Sequence, residues 1–98
     1  MKIPVDNARL ADFCRRHHIR KLAFFGSVLR DSFSPQSDVD VLVEFAEDAA
    51  VGLIRLSAIE RELSALLGRK ADLNTPGFLN RSFRSRVLAE AEVHFVSE

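Results

Sequence analysis

Apolar residues fall into blocks whose period alternates between helical and strand-like along the chain. Asp6 or Asn7 can cap a first helix, in which Ala8, Leu10, Ala11, Phe13 and Cys14 form the apolar stripe up to about His17. Ile19 to Phe25 reads as a strand, and Ser27 to about Ser32 as a short helix with Ser27 at its N-cap. Apart from Asp40, the run from Val39 to Val43 is apolar, the pattern of a central strand covered on both sides. Leu53, Leu56, Ile59, Leu63, Leu66 and Leu67 recur at helical spacing before Gly68, a C-terminal stop. Arg69 to Leu73 reads as a third strand and Asn74 to Gly77 as a turn. From Leu79 to Ala91 a helix is expected, with Phe83, Val87, Leu88 and Ala91 inward and Arg81, Arg84 and Arg86 outward. Val93 to Val96 closes the series as a strand with His94 at an exposed edge. This order predicts an α/β (α+β) fold, a small mixed sheet of three to four strands packed by helices, in one domain over 1–98.

Composition narrows the function. The chain is 47% hydrophobic, which fits a globular core, and 14 basic residues balance 14 acidic ones. A net charge of zero gives no general support to nonspecific nucleic-acid binding, which depends on phosphate neutralisation. There is no apolar run of membrane length or signal peptide, so a cytoplasmic protein without a membrane role is expected. The single cysteine, Cys14, has zinc-like spacing to His17 and His18 but no convincing fourth ligand, and a core thiol beside two surface histidines is the favoured reading.

Two junctions carry chemistry. Strand one stops at Gly26, where a ligand can approach the backbone, and Ser27 follows where helix amides would face phosphate oxygens. At the second junction Asp38 and Asp40 are two apart on a strand, so both carboxylates project to one face. Two acids at the mouth of a buried strand repel each other and resist desolvation, and a divalent cation resolves that conflict. Oxygen-only ligands favour Mg²⁺, which keeps waters and substrate phosphates as its other ligands.

Gly26-Ser27, ten further residues, and then Asp38-Val39-Asp40 resemble the signature of the nucleotidyltransferase superfamily that includes DNA polymerase beta. With Phe24-Phe25, Arg30 and Leu42-Val43-Glu44-Phe45, the chain is similar to the minimal nucleotidyltransferases, the MNT antitoxins of HEPN toxins. Asp31 departs from the pattern, standing where many relatives have glycine. The resemblance implies that Gly26 and Ser27 bind the β and γ phosphates of ATP. It implies that Asp38 and Asp40 hold Mg²⁺ (two ions, with Mn²⁺ as a substitute), and that Asp72 completes the second metal site and assists deprotonation. Arg30 either steadies the site and the triphosphate or forms an ion pair with Asp31 or Glu44; Asp72 has the alternative of pairing with Arg69 or Lys70.

The implied activity is metal-dependent transfer of AMP from ATP to a hydroxyl side chain of a partner protein, a HEPN-type toxin held in a complex. The alternatives are a binding-only antitoxin, and a nucleotidyltransferase acting on a small molecule or an RNA end. Docking is expected on the face around Ser32 to Ser37 and Asn74 to Phe78, through Phe33 and Phe78.

Overall fold

The computed structural model describes residues 1–97 apart from the side chain of Phe78. Its elements are α1 (Asn7–Arg16), β1 (Ile19–Phe25), β2 (Val39–Phe45), α2 (Leu53–Leu67), β3 (Ala71–Asn74), α3 (Arg81–Glu90) and β4 (Glu92–Val96). Short 3-10 turns follow β1 at Gly26–Leu29 and β3 at Pro76–Phe78. The order and the α+β class are those predicted.

Local chemistry sets the boundaries. The Asp6 carboxylate accepts the amides of Ala8 at 3.1 Å and Arg9 at 3.2 Å, fixing the start of α1, a cap worth about 1 kcal/mol. Arg15 and Arg16 complement the dipole at its other end, and His18 at φ 57° turns the chain into β1. Gly68 at φ 70° ends α2, and Asn80 Oδ1 accepts the Phe83 amide at 2.9 Å to begin α3.

The sheet has the order β3-β2-β1-β4. β1 is antiparallel to both β2 and β4, whereas β3 is parallel to β2. A parallel pair needs a long crossover, and α2 supplies it.

Strand alternation then separates two clusters. Val39, Val41 and Val43 join Leu22 and Phe24 of β1 against Leu10 and Phe13 of α1 and Ile59 and Leu63 of α2. Complete burial of a side chain such as Phe13 or Phe24 contributes roughly 1.5–3 kcal/mol, so this face holds most of the fold's apolar stabilisation. On the other face Phe25 and Leu42 meet Leu79 and Val87, with Ala91 packed beside them, a smaller cluster. Central strand β2 is thus covered on both sides as expected, but unequally.

That inequality explains the clearest departure from the predicted pattern. Phe83 and Leu88 are 45% and 46% exposed, and in α3 itself Val87 alone is buried. The face under α3 carries Asp40 and Asp72 next to its apolar patch, so an apolar stripe of full width has nothing to pack on.

Two further expectations change. His94 is not an exposed edge residue: its ring meets Phe24 edge-on at 4.9 Å and its Nδ1 lies 3.2 Å from Asn7 Oδ1. Phe33 is partly buried against the main core, with the Arg69 guanidinium 4.5 Å above its ring, so it is not a free docking aromatic. The Phe78 side chain of that docking expectation lies outside the described residues. Cys14 is a core thiol as favoured; burial pushes its pKa up to about 12 and keeps it neutral and unreactive. His17 turns away from it, to Phe13 and the Glu62 carboxylate.

Candidate active site

Sheet register brings the two sequence junctions together. β1 ends at the edge of the sheet where β2 and β3 begin, and Phe25, the last residue of β1, stands opposite Asp40. Gly26 follows at φ +76°, a conformation side chains resist, and a Cβ there would collide with the Asp40 carboxylate. Asp40 in turn is the register partner of Asp72 on β3, so both side chains leave the sheet on the α3 face. Asp38 immediately precedes β2 with Lys70 Nζ 4.0 Å from its Oδ2.

Burial, then the Asp72 charge, then the Asp38 charge raise the pKa of Asp40 above its ordinary value. Asp72 is exposed and, among the described residues, pairs with neither Arg69 nor Lys70.

Ser27 sits differently from expectation. The segment is a 3-10 turn that starts at Gly26, so Ser27 lies inside it, and the position before the turn is Phe25, which makes no side-chain cap. Its carbonyl accepts the Arg30 amide at 2.9 Å, and the chain is extended again at Arg30. A single 3-10 turn lacks the dipole of an α-helix, so any phosphate contact here rests on local amide and hydroxyl groups.

Arg30 pairs with neither Asp31 nor Glu44. Its Nη2 donates to Glu90 Oε2 at 2.9 Å, while Asp31 holds Lys2 and Glu44 holds Arg20. Both members of the pair line a cavity of about 170 Å³ between the sheet and α3, together with Gly26, Asp40, Phe83 and Arg86. Larger surface hollows lie elsewhere, among them one of about 510 Å³ between α1 and α2, far from the acids. From sequence the outward Arg81, Arg84 and Arg86 could reach a triphosphate or a partner, with a solvated face favoured; of these Arg86 lines the cavity, together with Phe83 and Glu90, which the sequence does not single out. The available signal was their spacing with Val87, which puts all four on one helical face.

The donor set fits a hard cation in one particular way. Among the described residues no three acidic, His or Cys side chains converge closely enough to hold one ion between them. Asp40 and Asp72 nevertheless share one face, the charges of Asp72 and Asp38 bear on Asp40, and Gly26 leaves the Asp40 oxygen room. Such a site suits Mg²⁺, which takes one or two carboxylates and completes its shell with water and phosphate.

A family model described as a nucleotidyltransferase domain matches residues 8–94. A Methanocaldococcus jannaschii protein provisionally named as a protein adenylyltransferase is 33% identical over 91 residues, covering 93% of this chain and 96% of its own. The fold is also that of a toxin-antitoxin crystal structure with AMP-PNP, at TM-score 0.76 and 14% identity over 96% of this chain and 76% of that one. Similar in fold again is a chain of the complex between a tri-AMPylated Shewanella oneidensis HEPN toxin and an MNT antitoxin, at TM-score 0.67 and 15% identity, covering 93% of this chain and 70% of that one. Among the described residues of this chain, no helix is long and apolar enough to cross a membrane. With its carboxylates and glycine turn on one sheet edge and a family model spanning most of its length, the chain belongs to the nucleotidyltransferase domain family.

Proposed function

We propose that this protein transfers AMP from ATP to a hydroxyl side chain of a HEPN-type partner protein in a metal-dependent reaction, and so acts as an antitoxin. One observation carries the reading: Asp40 stands in register with Asp72 while Gly26 packs against its carboxylate, so acids and turn meet at one point. The names of the relatives and the toxin-antitoxin complexes that share the fold support it.

Gly26 and Ser27 would receive the β and γ phosphates. Arg30 lies close enough to this turn to add a cation to them once it leaves Glu90. Asp38 and Asp40 would hold Mg²⁺, or Mn²⁺ in its place, with Asp72 completing a second site. Bound there, the ions would neutralise phosphate charge and acidify the attacking hydroxyl. In the transfer the acceptor oxygen forms a bond to the α-phosphorus, the bond from that phosphorus to the bridging oxygen breaks, and pyrophosphate leaves. Asp72, exposed and without an ion-pair partner among the described residues, would take the hydroxyl proton.

Residues 1–98 supply one catalytic core, and the acceptor brings its own docking surface; use of ATP puts the reaction in the cytoplasm. Incubating the protein and its candidate partner with ATP and Mg²⁺ and weighing both by mass spectrometry tests this. An AMP adduct on a partner hydroxyl is expected. Partner binding with no adduct would leave a binding-only antitoxin, and adducts on free small molecules or RNA ends would replace the protein substrate.

A further inference from the structure

The cavity beside Asp40 is too small for a whole nucleotide. At about 170 Å³ it falls below the roughly 300 Å³ at which ligand pockets begin. A second hollow of about 260 Å³ adjoins it, lined by Asn80, Ser82, Phe83 and Arg86. Phe83 and Arg86 line both, and together the two reach the usual range.

From this arrangement we infer that Phe83 and Arg86 of α3 form the nucleoside wall of the nucleotide site: Phe83 stacks on the base of a nucleoside triphosphate, and Arg86 binds the phosphate nearest the sugar. The inference rests on the nucleotide-binding reading above and extends it to residues outside the family signature.

Packing alone does not account for Phe83. It lies one helical turn before buried Val87, on the same face, yet remains 45% exposed. An exposed aromatic ring beside a cavity lined by both charged and apolar side chains offers a π-face to any base. Arg86 is likewise uncommitted. Arg84 is occupied by the Leu79 carbonyl at 3.1 Å and Arg30 by Glu90, whereas Arg86 has no ion-pair or hydrogen-bond partner among the described residues. Arg86 lines both hollows, the first shared with Gly26 and Asp40 and the second with Asn80 and Ser82. The polyphosphate then lies toward Gly26 and Asp40, and the nucleoside toward the start of α3.

Calorimetric titration in Mg²⁺ with ATP and with inorganic tripolyphosphate, which has no base, separates the two roles. Phe83→Ala should weaken ATP binding roughly tenfold and leave tripolyphosphate binding unchanged, since base stacking on an aromatic ring is worth about that much. Phe83→Leu keeps apolar bulk without the ring and should show the same selective loss. Arg86→Ala should weaken both ligands by about tenfold. Thermal melts confirm that each variant folds, and Asp40→Asn serves as the control for the underlying site. If the parent binds ATP, Asp40→Asn loses it and the α3 variants bind like the parent, the inference is overturned and the site reading stands. Parental ATP affinity in Phe83→Leu overturns the stacking role. A parent that binds neither ligand overturns the site reading and this inference together.

Discussion

Gly26 lies so close against Asp40 that a methyl group on its Cα would overlap the carboxylate. The atom in the way is the free end of a side chain, so the fold can relax by swinging Asp40 aside, and the damage should fall on the site more than on stability. Gly68 gives the comparison: its φ is +70°, but nothing lies within 4 Å of a Cβ added there. Both Gly→Ala variants should lose about 1–2 kcal/mol for the left-handed backbone. Gly26→Ala alone should lose nucleotide binding and transfer. Equal activity in the two variants would show that the Gly26 contact does not matter to the site.

Asp40 should make the metal-free protein less stable at neutral pH. Its folded pKa is raised, first by burial and then by Asp72 and Asp38. A raised carboxyl contributes stability that is full below its unfolded pKa of about 3.9 and is lost as pH rises through the folded value. Asp40→Asn should therefore melt at or above the parent at pH 7 without metal, with the difference closing toward pH 4. Mg²⁺ should raise the melting temperature of the parent and not that of the variant. An Asn variant melting well below the parent at pH 7 would make Asp40 a structural residue.

Asp72 faces Asp40 but stands exposed and, among the described residues, without an ion-pair partner, a position suited to an incoming hydroxyl more than to the donor nucleotide. Asp72→Asn is expected to lower the transfer rate by orders of magnitude and change ATP affinity little. Affinity measured by calorimetry and rate measured by adduct formation decide this. Parallel loss of both would place Asp72 in ground-state nucleotide binding, and unchanged transfer would remove it from the site.

Period and alternation made much of this legible in advance. A strand's two-residue repeat already put Asp38 and Asp40 on one face, and the apolar residues around Asp40 marked β2 as central. Long-range register was not legible: Asp72 meets Asp40 only because α2 returns the chain parallel to β2. Arg30 could not be paired from sequence with a glutamate 60 residues away. At Ser27 the choice between an α-helix and a 3-10 turn depends on Gly26 at φ +76°, which composition does not disclose. For α3 the stripe reading assumed an apolar partner, and the sheet presents carboxylates there instead.

Arg69 braces the loop that delivers Asp38. Its Nη2 donates to the carbonyls of Ser34 at 2.7 Å and Ser37 at 3.0 Å, and its guanidinium covers the Phe33 ring. The loop closes on itself as well, with Ser37 N donating to Ser34 O at 3.0 Å. Asp38 is the next residue, so the position of its carboxylate depends on this brace. Lysine keeps the charge but has no planar fork to hold two carbonyls while stacking on a ring. Arg69→Lys should cost about 1–2 kcal/mol, the scale of lost hydrogen bonds to a charged group, and lower the melting temperature by roughly 5–10 °C. It should also weaken Mg²⁺-dependent ATP binding, because a freer loop must be ordered when the ion is taken up. Phe33→Leu retains the apolar contact and both carbonyl bonds, so a smaller loss of stability and near-parental binding are expected. An Arg69→Lys protein that melts and binds ATP like the parent would show that the loop holds Asp38 without it.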